Sequence, residues 1–171
     1  YPQGTYQPAT SVTRSLWDTR YRDPSWIDSV IRLLPRMHAW VRKDYPGTKL
    51  SISEYNMGLG VSSSRRLQNV IEADTLGIFG QQRLSLATFW PEDASPVPGP
   101  AFAMFRNYDG HHHTFGDVGV RATSSRQRRL PVYAAQHGAG GAVPVMVVTK
   151  TGHAERSRLT LPHFRARAPA A

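Results

Sequence analysis

The stretch T-K-L-S-I-S-E-Y-N, from Thr48 to Asn56, constrains the chain most. Leu50, Ile52 and Glu54 fall on one side of a period-two alternation, so a strand over Lys49 to Glu54 points two aliphatic residues and then a carboxylate the same way. Tyr45, Pro46 and Gly47 lead into it and Gly58 and Gly60 follow, which marks a short, bounded strand of the buried type. A carboxylate there costs several kcal/mol unless it is partnered or employed. In (β/α)8 barrels the C-terminal ends of the strands carry the chemistry, so Glu54 is a candidate catalytic carboxylate at a barrel mouth. A structural Glu paired with one of the many Arg residues is the alternative.

The flanking segments have the alternation expected of consecutive βα units. Asp23 followed by Pro24 reads as a helix start, and Trp26, Ile27, Val30, Ile31 and Leu34 recur at helical spacing. Pro35 either kinks that helix or begins a second one, whose stripe continues through Met37, Trp40 and Val41. Downstream of Glu54, Ser62, Ser63 and Ser64 offer N-caps for a helix with the stripe Leu67, Val70, Ile71 and Ile78, ended by Gly80. Leu84 to Trp90 reads as a second strand with Leu84, Leu86, Thr88 and Trp90 on one face, and Ala101 to Tyr108 as a short helix. Trp90 stands after its strand where Glu54 stands in its own. Trp17 and Tyr21, four residues apart in a polar region without helical period, either line a cleft or cap a core.

From Phe115 onward the texture is all-β, with strand candidates at Val118 to Ala122, Pro131 to Ala135, Val143 to Thr149 and Leu159 to Phe164, and a turn at Gly138 to Gly141. Spacings of roughly ten residues suggest a sandwich, with a boundary near residue 115 that divides 1–115 from 116–171. The formal charge of +9 sits in the second part: residues 1–116 carry a net +2 and residues 117–171 a net +7. Those Arg residues are scattered among strand-like and turn-like segments instead of lying along one helix face, which argues against a nucleic-acid partner. His111, His112 and His113 point in different directions and lack a further ligand at metal-binding spacing, so they read as a solvated loop, with no metal and no cofactor implied. With no cysteine there are no disulfides or thiolate metal sites. Neither a signal peptide nor an apolar run of membrane-spanning length is visible in this chain.

Eight short strings occur in one order: R-S-L-W-D at 14–18, S-W-I at 25–27, L-L-P-R-M at 33–37, Y-P-G-T-K-L at 45–50, S-E-Y-N at 53–56, A-D-T-L-G-I-F-G at 73–80, F-R-N-Y-D-G at 105–110 and F-G-D at 115–117. Together they resemble glycoside hydrolase family 44, over about residues 10 to 165. The resemblance implies an α/β plus β fold: the C-terminal part of a TIM-like (β/α)8 barrel over residues 1–115, followed by a partial β-sandwich over 116–171. It implies a secreted, retaining endo-β-1,4-glucanase or xyloglucanase, whose partner is a β-1,4-glucan or xyloglucan and neither nucleic acid nor membrane. Glu54 matches the family's nucleophile, Trp17 and Trp90 match aromatic positions of the sugar cleft, and Tyr21, Tyr55 and Asn56 are the other expected substrate contacts.

Retention requires a second carboxyl group about 5 Å from the nucleophile to protonate the leaving oxygen. The family carries it on an earlier barrel strand, so the acid/base is expected to be absent from this chain, which at 171 residues is also shorter than the roughly 250 of a whole barrel. Glu72 and Asp74 fall on a helix and Glu92 and Asp93 in a loop, and none follows a strand as Glu54 does. Met57 stands where the family has Trp, and Phe89 precedes Trp90 where Arg is more usual. A non-catalytic carbohydrate-binding module and a basic nucleic-acid binder are the rival readings. Saturable glucan binding that survives Glu54→Gln marks the first, and a steep loss of affinity with salt the second.

Overall fold

A computed structural model describes residues 9–59, 63–91, 97–138 and 142–162. The expected roles of Ser62 as a cap, of Glu92 and Asp93 in a loop, of most of the Gly138 to Gly141 turn and of the end of the Leu159 to Phe164 segment lie outside them. After a 3-10 turn at Ala9–Ser11 come α1 (Arg14–Trp17), α2 (Leu33–Asp44), β1 (Ser51–Tyr55), α3 (Arg65–Gln81), β2 (Leu86–Phe89), α4 (Gly99–Arg106), β3 (Val118–Val120), β4 (Val132–Gln136) and β5 (Val145–Val147). β1 and β2 pair in parallel and are connected through α3, which makes a βαβ unit; β3, β4 and β5 form an antiparallel sheet in that order. The chain is thus mixed α/β up to α4 and β-rich after it. Among the described residues no helix is long and apolar enough to cross a membrane.

α3 starts where a capping residue and an apolar stripe coincide. The Ser64 hydroxyl accepts from the Leu67 N–H at 3.2 Å, which satisfies one of the free amides of the first turn. The helix then buries Ile71, Ala73, Ile78 and Phe79 together with Gln68, Glu72, Asp74 and Thr75, far more than a one-sided stripe would. The reason is that α3 is covered on two sides. Tyr55 of β1 meets it through an edge-on contact with Phe79, ring centroids 5.0 Å apart, and Tyr133 of β4 lies flat enough on it that a Cβ at Gly77 would come within 2.4 Å of its ring. Gly77 is therefore a close-approach glycine.

The helix expected from Asp23 through Leu34 does not form. Asp23 is fully buried; its carboxylate accepts from the Ser15 hydroxyl and from the Ser25 N–H at 2.9 Å, while its own N–H donates to the Ser29 carbonyl at 2.9 Å. Those bonds close residues 23–29 into a loop, with Asp28 and Arg32 in the left-handed region, and leave Trp26 and Ile27 exposed. A tertiary hydrogen bond outcompetes the local helix-start signal. α2 is the second helix that Pro35 allowed, with the proline in its first turn, where a missing N–H is no loss. The fourth β-segment is also corrected: Leu159 to Pro162 is not a strand.

Candidate functional site

The two parallel strands end side by side. Tyr55 pairs with Phe89, so Glu54 lies one residue before that pair and Trp90 one residue after it. The Trp90 N–H donates to the Tyr55 carbonyl at 2.9 Å, and the Asn56 side-chain amide donates to the Trp90 carbonyl at 2.8 Å. Asn56 also accepts from the Gly58 N–H at 2.9 Å, which turns the chain sharply after β1. Asn56 thus ties the two C-terminal ends together.

The strict alternation expected for β1 is broken within it. The register runs Ser51 with Leu86, Ile52 with Ala87, and then Tyr55 with Phe89, so three steps on β1 match two on β2. This is a bulge, and it resets which residues face where. Ile52 and Tyr55 pack against the helices, whereas Ser53 and Glu54 are both exposed. The expectation that Leu50, Ile52 and Glu54 point the same way is corrected accordingly: Ile52 belongs to the core and Glu54 to the open side. On β2 Leu86, Thr88 and Trp90 are exposed, while Ala87 and Phe89 turn to the helices. Trp90, 58% exposed, presents an aromatic surface beside the strand end that bears Glu54.

Tyr55 goes the other way. Its ring stands edge-on to Phe79 and to Phe89, at 5.0 and 5.5 Å, and its hydroxyl donates to Glu72 Oε1 of α3 at 2.5 Å. Glu72 is 2% exposed. Burial pushes its carboxyl up to about 7, with the Tyr55 hydroxyl pulling the other way. Burial, reinforced by hydrogen bonding to Glu72 and its charge, raises the Tyr55 phenol as well. A carboxyl held neutral near pH 7 has the proton affinity wanted of a general acid. Its position speaks otherwise, because Glu72 lies on the helix side of β1 and Glu54 on the exposed side. Tyr55, named as a substrate contact, has its hydroxyl engaged by Glu72.

The two remaining aromatics differ. Trp17, the last residue of α1, is half-buried and packs on the core. Tyr21 is 9% exposed and lies under the Arg14 guanidinium, 4.1 Å from the ring centroid. Asp18, between them, is held below the usual carboxylate range: burial alone would raise it, but the Arg20 N–H and the Arg14 and Arg128 guanidiniums outweigh that. No three His, Asp or Glu side chains among the described residues are placed to hold a metal ion; His113 instead pairs with Asp109 at 2.5 Å. A groove of about 860 Å³ runs between the end of α3 and β3–β4, and Glu54, Asn56 and Trp90 are not among its walls.

Sequence reasoning missed the pair Tyr55–Glu72 and a second buried cluster. Asp74 accepts from the Tyr133 hydroxyl at 2.6 Å, from the Thr13 hydroxyl at 2.6 Å and from Lys150 Nζ at 2.7 Å, and Lys150 also donates to Thr13 at 2.9 Å. The signal was available: Glu72 is in helical phase with Leu76 and Phe79, and Asp74 with Val70, Ile71 and Ile78, so both carboxylates share a side of α3 with apolar residues.

No family model matches the chain. It is 35% identical over 135 residues to endoglucanase A of Paenibacillus lautus, a match that covers 76% of this chain and 19% of that enzyme. Among solved structures it resembles CelM2, a bifunctional glucanase-xylanase protein from a metagenome library, at 41% identity and a TM-score of 0.74, covering 84% of this chain and 27% of that one. It also resembles a Paenibacillus polymyxa xyloglucanase from glycoside hydrolase family 44, at 32% identity and a TM-score of 0.73, covering 82% of this chain and 28% of the enzyme. The chain belongs to glycoside hydrolase family 44. It spans 19% to 28% of the length of these three relatives. Within the family 44 chain, the βαβ unit from β1 to β2 is the segment that presents Glu54 and Trp90.

Proposed function

We propose that this family 44 chain carries the nucleophile half of a retaining endo-β-1,4-glucanase site that acts on cellulose-type glucan and xyloglucan, with Glu54 as the nucleophile. The observation that supports this most is the placement of Glu54, exposed at the end of a parallel strand, beside an exposed Trp90 at the end of the next. Parallel strand ends are where barrel enzymes keep their chemistry, and an indole face is what a glucosyl ring stacks on. The names of its relatives, endoglucanase, glucanase-xylanase and xyloglucanase, point to the same substrate class.

In this reading the sugar rests against Trp90 and the Glu54 carboxylate attacks the anomeric carbon, forming a covalent glycosyl ester as the leaving oxygen takes a proton from a second carboxyl group. Water, deprotonated by that second group, then attacks the same carbon and frees Glu54. Asn56 fixes the separation of the two strand ends, and the partly exposed Trp17 extends the cleft wall, with Tyr21 buried under Arg14 and out of reach of the sugar. In this reading the second carboxyl comes from outside this chain, from the earlier barrel strand on which the family carries its acid/base. Residues 1–115 then form βα units of a glycosidase barrel and residues 116–171 part of a sandwich, in an enzyme that works outside the cell.

The test is a full-length version in which this chain replaces the matching segment of a solved relative. It should hydrolyse xyloglucan and carboxymethylcellulose, and Glu54→Gln should abolish this, because an amide cannot form the glycosyl ester. The 171-residue chain alone should be inactive on these polymers, since it lacks both the acid, worth about a hundredfold to ten-thousandfold, and most of the substrate positioning. Hydrolysis of xyloglucan by the Glu54→Gln version at an undiminished rate would remove Glu54 from the mechanism.

A further inference from the structure

We infer that Glu72 and Tyr55 form a positioning device that holds the β1 bulge and so keeps Glu54 turned to the exposed side; this deepens the reading of Glu54 as nucleophile and rests on it. A bulge leaves one residue unpaired and needs a reason to sit at one place along a strand. Here the reason is on the next side chain. Tyr55 is drawn to the helix side by three contacts: the rings of Phe79 and Phe89 and the Glu72 carboxyl. Ile52, three residues earlier, faces the same side, although a regular alternation would put residues three apart on opposite faces. Anchoring both obliges the two residues between them, Ser53 and Glu54, to share the exposed side. In a regular strand that kept Ile52 in the core, Glu54 would follow it there and Tyr55 would stand in the open.

Of the three contacts, the hydrogen bond is the one with direction. Rings tolerate sliding, whereas a hydroxyl donating to a carboxyl 2% exposed fixes where the ring ends. Glu72 is itself held by α3, whose Ser64 cap and Phe79 contact set its height along β1. The Tyr55 carbonyl, in turn, receives the Trp90 N–H, so the same anchor carries over to the aromatic platform. Glu72 acts through Tyr55 and touches no substrate.

Amide hydrogen exchange on the 171-residue chain tests the anchor without any need for turnover. The Trp90 N–H bonds the Tyr55 carbonyl, and the Ser85 N–H bonds the Leu50 carbonyl at the other end of the same strand pair, each at 2.9 Å. In Tyr55→Phe and in Glu72→Leu the Trp90 amide should exchange about tenfold faster, as expected for loss of one buried hydrogen bond, with Ser85 unchanged. Glu72→Gln keeps an acceptor and should restore Trp90 to within about twofold of the parent. An unchanged Trp90, or Trp90 and Ser85 rising together, overturns the inference. If Glu72→Leu fails to fold, Tyr55→Phe, which keeps both ring contacts, decides alone. In the full-length version, Tyr55→Phe should lower kcat about tenfold with KM within twofold, and an unaltered kcat counts against positioning. A full-length version that stays active with Gln at position 54 sinks the nucleophile reading instead, and the exchange result still decides whether the pair anchors β1.

Discussion

Two buried carboxylates on α3, two residues apart, meet opposite surroundings. Glu72 faces β1, accepts the phenol of Tyr55, and has no Lys or Arg among the described residues paired with it. Asp74 faces the β3–β5 sheet, where a phenol, a hydroxyl and the Lys150 ammonium converge on it. Both arise from the same helix and nearly the same burial, 2% exposed in each case. The difference lies in what the neighbouring layer supplies. A buried charge needs a counter-charge and enough donors, and only one of the two layers provides them. On the β1 side the outcome is a carboxyl that favours its proton up to about pH 7; on the other side it is an ion pair that clasps four segments of the chain.

Lys150→Met is the largest test of that contrast. It leaves the buried Asp74 with the Tyr133 and Thr13 hydroxyls but no counter-charge and should cost about 3–5 kcal/mol in urea melts, and adding Asp74→Asn should return part of the loss. A cost under about 1 kcal/mol would mean that the clasp is solvated and that the two sides of α3 are alike.

The pH dependence from Glu72 comes next. Its folded-state value, about 7, lies above the ordinary 4.5, so the folded chain binds the extra proton between them. Stability from this group is therefore intact below about pH 4.5 and is lost as pH rises towards 7, by roughly 3 kcal/mol in all. Glu72→Gln should match the parent in melts at pH 4.5 and exceed it at pH 8. Equal slopes in the two proteins would show that Glu72 is hydrated.

The smallest effect is steric. Gly77→Ala drives a methyl into the Tyr133 ring and should cost about 1–3 kcal/mol. Gly80→Ala meets nothing within 4 Å and should be neutral or stabilise by up to about 1 kcal/mol through helix propensity. Equal thermal shifts for the two would place Tyr133 farther from α3 and weaken the account of why the helix is buried on two sides.

Residues 1–116 already announced much of this. The Ser64 cap, the α3 stripe and the β-prone runs on either side of it are local signals, and they yielded β1, α3 and β2 nearly in place. The eight short strings placed the chain in its family before any contact was known. What could not be read was every feature settled by a partner distant in sequence. The Asp23 signal for a helix lost to Ser15 and Ser29, the alternation at Glu54 lost to a bulge, and the cation for Asp74 came from a lysine 76 residues away. The sequence by itself determined the β1–α3–β2 order and which carboxylate ends a strand, because caps and periodicity act over a few residues. Only the tertiary structure decided which way Glu54 faces and which buried acid meets a cation, because a side chain's direction in a bulged strand and the partners of a buried carboxyl depend on whichever layer packs against them.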